Sequence, residues 1–216
     1  MTVDQVLTEK LGHYAYVICS GSVAAVVDPR RDVGVYLEKA RARGARITHV
    51  LLTHLHADFL CGALELSGAT GAEILAPAKA QARFVHRAVA AGDCLILDQV
   101  LLEVRETPGH SPESLCYLAK DLSRSAREAI LFSGDTVLVG GFGRPDVFPE
   151  QKEELGRALW RSLKAFSDLP PEVQILPAHG QGSLCGVQTG AMAMTTLGYE
   201  QMAQPLWRAG SEGAFL

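Results

Sequence analysis

The sequence lacks any CxxC pair. Its five cysteines, Cys19, Cys61, Cys94, Cys116 and Cys185, form an odd and scattered set, which argues against a disulfide framework and against a structural zinc site, and fits a reducing cytoplasm. It also lacks an uninterrupted apolar run of about 18 residues, so no transmembrane helix is expected. The opening "MTVDQVLTEKLG" is polar and acidic where a secretory signal would be basic and then continuously apolar, so no export is expected. An excess of basic charge is missing too: the net charge is -4, and neither nucleic acid nor an anionic membrane surface is indicated as a partner. The cluster Arg41, Arg43, Arg46 reads as a solvated helix end. Repeats, low-complexity tracts and Pro/Gly-rich linkers are absent.

What remains is an ordinary globular composition, with 48% apolar and 20% charged residues over 216 positions, enough for a single domain over residues 1–216 with a sizeable core. "HYAYVICSG" and "SVAAVVDP" read as strands. "RDVGVYLEKARARGA" has helical spacing, with Asp32 placed to cap it and Gly44 to end it. After strand "ITHVLLTH" come an apolar helical segment over 57–68, strand "AEILAP" and a helix over 78–90. "CLILDQVLLEVRETPG", "SLCYLAK" and "AILFSGD" read as further strands, with 120–128 as a hairpin loop. A helix over 150–167, strand "VQILPAHG" and a last helix over 186–203 complete a mixed α/β layered pattern.

Four polar residues stand directly after strongly apolar strands: His54 after "HVLLT", His110 after "LLEVRETPG", Asp135 after "AILFSG" and His179 after "QILPA". Strand ends on one side of a sheet are where loops converge to build sites. Gly109, Gly134 and Gly180 flank three of them and permit close backbone approach. Imidazole and carboxylate suit iron, zinc or manganese in a water-accessible site. His54, His56 and Asp58 are spaced two apart, so a turn after the strand can aim all three into one cavity. On spacing alone a three-histidine zinc site of His54, His56 and His110 stays open.

The order "THLHADF", "TPGHS", "SGDT", "PAHG" resembles the metallo-β-lactamase superfamily, whose usual pattern is HxHxDH, then a distant His, an Asp and a final His. "SGDTVLVGGFGRPDV", "PAHGQGSLCG" and "TTLGYE" look like its persulfide dioxygenase branch, especially bacterial members fused to rhodanese domains, which also carry Phe after the Asp of the motif. The resemblance spans nearly the whole chain and implies an αββα sandwich with the site at one edge. No rhodanese domain is expected to follow, so a separate sulfurtransferase or other sulfur carrier would supply the site. It further implies one Fe(II) per chain, held by His54, His110 and Asp135, with His56, Asp58 and His179 supporting them from behind. Phe59 offers no ligand where a second metal would need one and makes the neighbourhood drier. The implied reaction turns a persulfide, glutathione persulfide or a similar small one, with O₂ and water into sulfite and free thiol. Related enzymes suggest a homodimer.

Phe59 and three other residues are candidates for substrate binding. Arg144 in "GFGRPD" can fork onto a carboxylate of the thiol carrier or onto Asp146, two positions on. Tyr199 can hydrogen-bond substrate or Asp135, or close the core half-buried. Cys185, six positions after His179 in a glycine-flanked loop, can relay sulfane sulfur or be a small buried residue. Cys61 is expected to pack in its apolar helical segment, and Cys19, Cys94 and Cys116 to lie in the core. Two rival functions are a zinc thioester hydrolase like the hydroxyacylglutathione hydrolases, in which metal-bound water attacks a carbonyl, and a non-catalytic metal or O₂ sensor dimerising through its C-terminal helix.

Overall fold

In β2 (His13–Ser20) both faces are apolar, and the strand is buried along its whole length. Tyr14, Tyr16 and Ile18 point to one side and Ala15, Val17 and Cys19 to the other, as the two-residue repeat of a strand requires. A strand of that kind needs cover on both faces, and the computed structural model, which describes residues 1–186 and 189–216, shows what supplies it. Its flanking elements are β1 (Thr2–Thr8), β3 (Val23–Val27), α1 (Gly34–Ala42), β4 (Arg46–Leu51), α2 (Ala63–Thr70), β5 (Glu73–Pro77) and β6 (Arg87–Val89). The second half brings β7 (Cys94–Leu97), β8 (Val100–Glu106), β9 (Leu115–Asp121), β10 (Glu128–Gly134), the hairpin β11 (Val137–Leu138) and β12 (Gly141–Phe142), α3 (Lys152–Lys164), β13 (Gln174–Pro177), β14 (Thr195–Thr196), α4 (Leu197–Ala203) and α5 (Glu212–Phe215).

The strands form two six-stranded mixed sheets, ordered β1-β2-β3-β4-β5-β6 and β14-β13-β10-β9-β8-β7. Between them lies a core that includes Tyr16, Ile18, Leu51, Leu102, Tyr117 and Phe132. A second cluster joins the outer face of the first sheet to Tyr36, Ala40 and Leu66 of α1 and α2, and a third joins the second sheet to Leu159 and Leu163 of α3. The layers are therefore helix, sheet, sheet, helix. Each Leu or Phe so enclosed contributes about 1.5–3 kcal/mol relative to exposure.

This topology makes the site. β8 and β10 both run antiparallel to β9, and β13 runs parallel to β10, so the C-terminal ends of β8, β10 and β13 share one sheet edge. Backbone bonds from Leu115 N–H to the Thr53 carbonyl (2.9 Å) and from Tyr14 N–H to the Ala178 carbonyl (2.7 Å) stitch the end of β4 and the start of β2 to that edge.

Several sequence expectations are corrected. The helix expected over 78–90 is a single tight turn at Ala78–Ala80 followed by β6, because Gln81 is left-handed (φ 49°) and residues 87–89 pair in parallel with β5. The apolar segment 57–68 is a loop to position 62 and becomes helix only at Ala63, after Gly62, which packs on the Arg30 carbonyl with no room for a methyl group. Asp32 does not cap α1; Val33 holds that position and Asp32 pairs with Arg30 at 3.3 Å. Of the helix expected over 186–203 only Leu197–Ala203 is helical, with β14 before it; Val187 and Gln188 of the expected helix lie outside the described residues. The polar N-terminus, read as no element, pairs with β2 as β1. Cys94 is exposed on the edge strand β7, whereas Cys19 and Cys116 are buried. α3, the Gly44 stop (φ 67°) and the loop between β9 and β10 stand where expected. No helix among the described residues is long and apolar enough to cross a membrane.

Candidate metal centre

The chain leaves β4 through Thr53 and His54, and Asp28 holds this turn. Asp28, itself in a left-handed conformation (φ 47°), is buried after β3. One of its oxygens accepts the Thr53 N–H at 2.8 Å, the other the Thr53 hydroxyl at 2.7 Å. With its proton committed to Asp28, the Thr53 oxygen accepts from His54 Nδ1 at 3.0 Å. That bond assigns the tautomer and leaves the His54 Nε2 lone pair facing the cavity. His110 is set the same way from the opposite side: its Nδ1–H donates to the Arg144 carbonyl at 3.2 Å.

Asp135 follows Gly134, whose φ of 53° and lack of a side chain allow it to sit against Thr53. One Asp135 oxygen lies 3.6 Å from His54 Nε2 and 3.4 Å from His110 Nε2. Ligands about 2.1 Å from one ion lie about 3.0–3.4 Å apart, so the three buried groups fit one cation with little adjustment, and all their ligand atoms fall within 4.8 Å of one another. Two neutral imidazoles and one carboxylate on one side of an ion suit a divalent transition metal with open positions.

His179 lies between two carboxylates. Its Nδ1 is 2.7 Å from Asp135 and its Nε2 is 3.0 Å from Asp58. Burial opposes a charge on this ring, but Asp135 and then Asp58 outweigh it and raise its pKa far above the usual histidine range. In return, burial alone would raise Asp135, and the charge of His179 and its hydrogen bond, then His110, hold it well below the usual carboxylate range. His54 is pushed down by burial and by His56, so it stays a neutral ligand.

His56, Asp58 and His179 form a second group with ligand atoms within 4.8 Å. His56 lies 3.5 Å from Asp28, and both of its nitrogens are buried without a hydrogen bond, as is one Asp58 oxygen. Phe59 lies over this group, its ring centroid 4.6 Å from that of His56. Against its side packs His13, completely buried, with neither nitrogen bonded and centroids 4.1 Å from Phe59, 5.5 Å from His56 and 5.4 Å from His179. Burial, then the charges of His56 and His179, lower the His13 pKa to about 3.

Sequence reasoning missed Asp28 and His13. Asp28 ends the strand "AAVVD" and was open to the same strand-end rule that picked out His54. His13 starts a strand rather than ending one, and only the β2–β13 bridge at His13 and His179 brings it to the site.

The remaining candidates separate clearly. Cys185 faces Asp135 and His179, with its sulfur within 4.8 Å of both. Burial would raise its thiol, but the neighbouring His110 and His179 bring it below the ordinary value. Arg144 uses its fork on Asp146, both bonds being 2.7 Å. Tyr199 is 58% exposed and so does not close the core; its backbone N–H bonds to Thr196 Oγ1 at 3.3 Å. Cys61 packs against α1 and α2 as expected, although it precedes α2 instead of lying within it. A groove of about 660 Å³ between the β12 turn, α3 and α5 is lined by Phe142, Arg144, Lys152, Leu159 and Phe215 and by none of the candidate ligands.

Three relatives place this arrangement. The hydroxyacylglutathione hydrolase of Methylobacterium sp. (strain 4-46) is 35% identical over 162 residues, 74% of this chain and 58% of that protein. A metallo-beta-lactamase structure from Staphylococcus aureus subsp. aureus COL superposes with a TM-score of 0.93 at 31% identity, over 99% of this chain and 65% of that one. ETHE1 from Myxococcus xanthus superposes with a TM-score of 0.84 at 26% identity, over 100% of this chain and 88% of its own. The chain thus spans less than two thirds of the first two. The family model for the metallo-beta-lactamase superfamily matches residues 8–179, a span that starts in β1 and ends on His179 and so takes in the whole cluster of histidines and aspartates; the chain belongs to the metallo-beta-lactamase superfamily.

Proposed function

We propose that this protein is a persulfide dioxygenase with one Fe(II) per chain, converting a low-molecular-weight persulfide such as glutathione persulfide, with O₂ and water, into sulfite, free thiol and two protons. The observation that carries this reading is Phe59. It stands where a two-metal hydrolase of this superfamily needs a histidine, and it leaves the second group with Asp58, His56 and His179, of which His179 is already committed to two carboxylates. His54, His110 and Asp135 would hold a ferrous ion, which would supply redox chemistry that zinc cannot.

The chain's own groups have separable tasks. The Thr53 hydroxyl and the Arg144 carbonyl hold His54 and His110 as Nδ1–H tautomers, with Nε2 free. His179 donates from Nδ1 to Asp135, keeping it ionised and aimed, and Asp58, with a side chain 21% exposed, links its other nitrogen toward solvent. Phe59 and His13 keep the wall dry, which strengthens every electrostatic contact inside. Cys185 places a sulfur with a lowered pKa beside the cavity, suited to take part in sulfur transfer from a separate carrier. The likeness to ETHE1 supports this branch.

The second reading is a zinc thioester hydrolase, favoured by the curated relatives named as hydroxyacylglutathione hydrolases. Metal analysis after anaerobic purification separates the two: about one iron per chain is expected, and about two zinc ions per chain would favour the hydrolase. Oxygen-electrode assays across a panel of persulfides then test turnover; absence of O₂ consumption in iron-replete protein would overturn the dioxygenase reading.

A further inference from the structure

Glu200 in α4 is fully buried, yet its bonding partners are neutral. Its two oxygens accept the Gly140 N–H at 3.3 and 3.2 Å, and one accepts the Gln204 side-chain amide at 3.1 Å. Burying a polar side chain is costly unless hydrogen bonds to it compensate. Both Glu200 oxygens therefore converge on one backbone N–H.

That N–H belongs to the corner of a very short hairpin. Gly140, with φ 78°, turns β11 into β12, which are held together by the pairs Val137–Phe142 and Leu138–Gly141. β12 leads at once into Gly143, which packs on the Asp135 carbonyl and lies so near His110 that an added Cβ would stand 2.8 Å from its Cβ. The next residue is Arg144, whose carbonyl accepts the His110 Nδ1–H. Only three residues, Gly141, Phe142 and Gly143, thus separate Gly140, held by Glu200, from Arg144, whose carbonyl fixes the His110 ring.

We propose that Glu200 is a positioning residue of the metal centre: by holding Gly140 it fixes the β11–β12 hairpin, and through the Arg144 carbonyl it sets the tautomer and aim of His110. The inference rests on His110 being a ligand and not on which metal or reaction the site serves. It mirrors, from α4, what Asp28 does through Thr53 for His54.

Cobalt(II) is the probe, titrated into the metal-freed protein against a chelator, with visible absorption reporting ligand geometry and thermal unfolding reporting stability. Glu200→Gln keeps an acceptor for Gly140 and should bind cobalt within about threefold of the parent with the same spectrum. Glu200→Asp keeps the carboxyl group but withdraws the acceptor by one methylene; it and Glu200→Ala should lose about tenfold or more in affinity, as loss of a group behind a ligand does, with altered bands. Leu197→Ala, a buried change in the same helix, should lower the melting temperature without changing cobalt affinity. Parental affinity and spectrum in folded Glu200→Asp would overturn the proposal, as would equal loss of affinity in Leu197→Ala. If Glu200→Ala does not fold, Asp against Gln decides alone. Cobalt affinity is read without turnover, so failure of the dioxygenase assay and failure of this proposal are independent results.

Discussion

Phe59 and His13 pack ring against ring, with centroids 4.1 Å apart, and this pair closes one side of the site. One residue comes from the loop after β4 and the other from the start of β2. Together they put an aromatic surface and an unbonded imidazole where this superfamily's pattern has a further metal ligand, which makes the two candidate metal groups unequal.

Replacing Phe59 with His tests that inequality. The variant should hold a second metal ion, read by elemental analysis, because Asp58 and His179 regain the nitrogen they lack. Unchanged metal content would remove Phe59 as the reason for a single ion.

Asp135→Ala should abolish both iron retention and O₂ uptake. Asp135 lies within 3.6 Å of His54 and His110 and within 2.7 Å of His179, so its loss takes away a ligand and strands a charged histidine. Oxygen consumption at the parental rate would show the ligand assignment to be wrong.

Thr53→Val keeps shape and loses the hydroxyl that links Asp28 to His54. With His54 free to change tautomer and Asp28 short of a donor, metal affinity should fall about 10- to 100-fold, measured by chelator competition. Parental affinity would mean that the His54 ring is held by packing alone.

His13 should make the metal-free protein acid-sensitive. Burial first, then His56 and His179, depress its folded-state pKa from 6.5 to about 3. Between those values the unfolded chain binds a proton that the folded one refuses, so stability is present above about pH 6.5 and is lost as pH falls toward 3, by about 1.4 kcal/mol per pH unit. Thermal melts of His13→Leu between pH 6.5 and 4 should show a shallower decline than the parent. Parallel declines would assign the acid sensitivity to other groups.

Much of the fold was legible locally. The runs "HYAYVICS" and "LCYLAKD" are long, apolar and β-rich, and both are strands. α3 has a clear apolar stripe, with Leu155, Leu159 and Leu163 buried. Residues 78–90 misled because their helical propensity is local, whereas pairing of Arg87–Val89 with β5 is a long-range interaction that overrides it. Asp32 has the right residue type for a cap, but the helix begins one residue later than its side chain could serve. Tyr199 was a reasonable candidate by motif; its neighbour Glu200 is the one that turns inward.

The site divides in the same way. Residue type and strand-end position determined on their own that His54, His110, Asp135 and His179 belong to one polar cluster, because the end of an apolar strand fixes where the next side chain emerges. Only the tertiary structure decided which nitrogen of each histidine faces the cavity, that His179 is held between two aspartates, that Asp28 holds His54 through Thr53 and that His13 packs beside Phe59. Those outcomes depend on hydrogen bonds and ring contacts between segments tens of residues or more apart, and such distances are set by the packing of two sheets rather than by any local pattern.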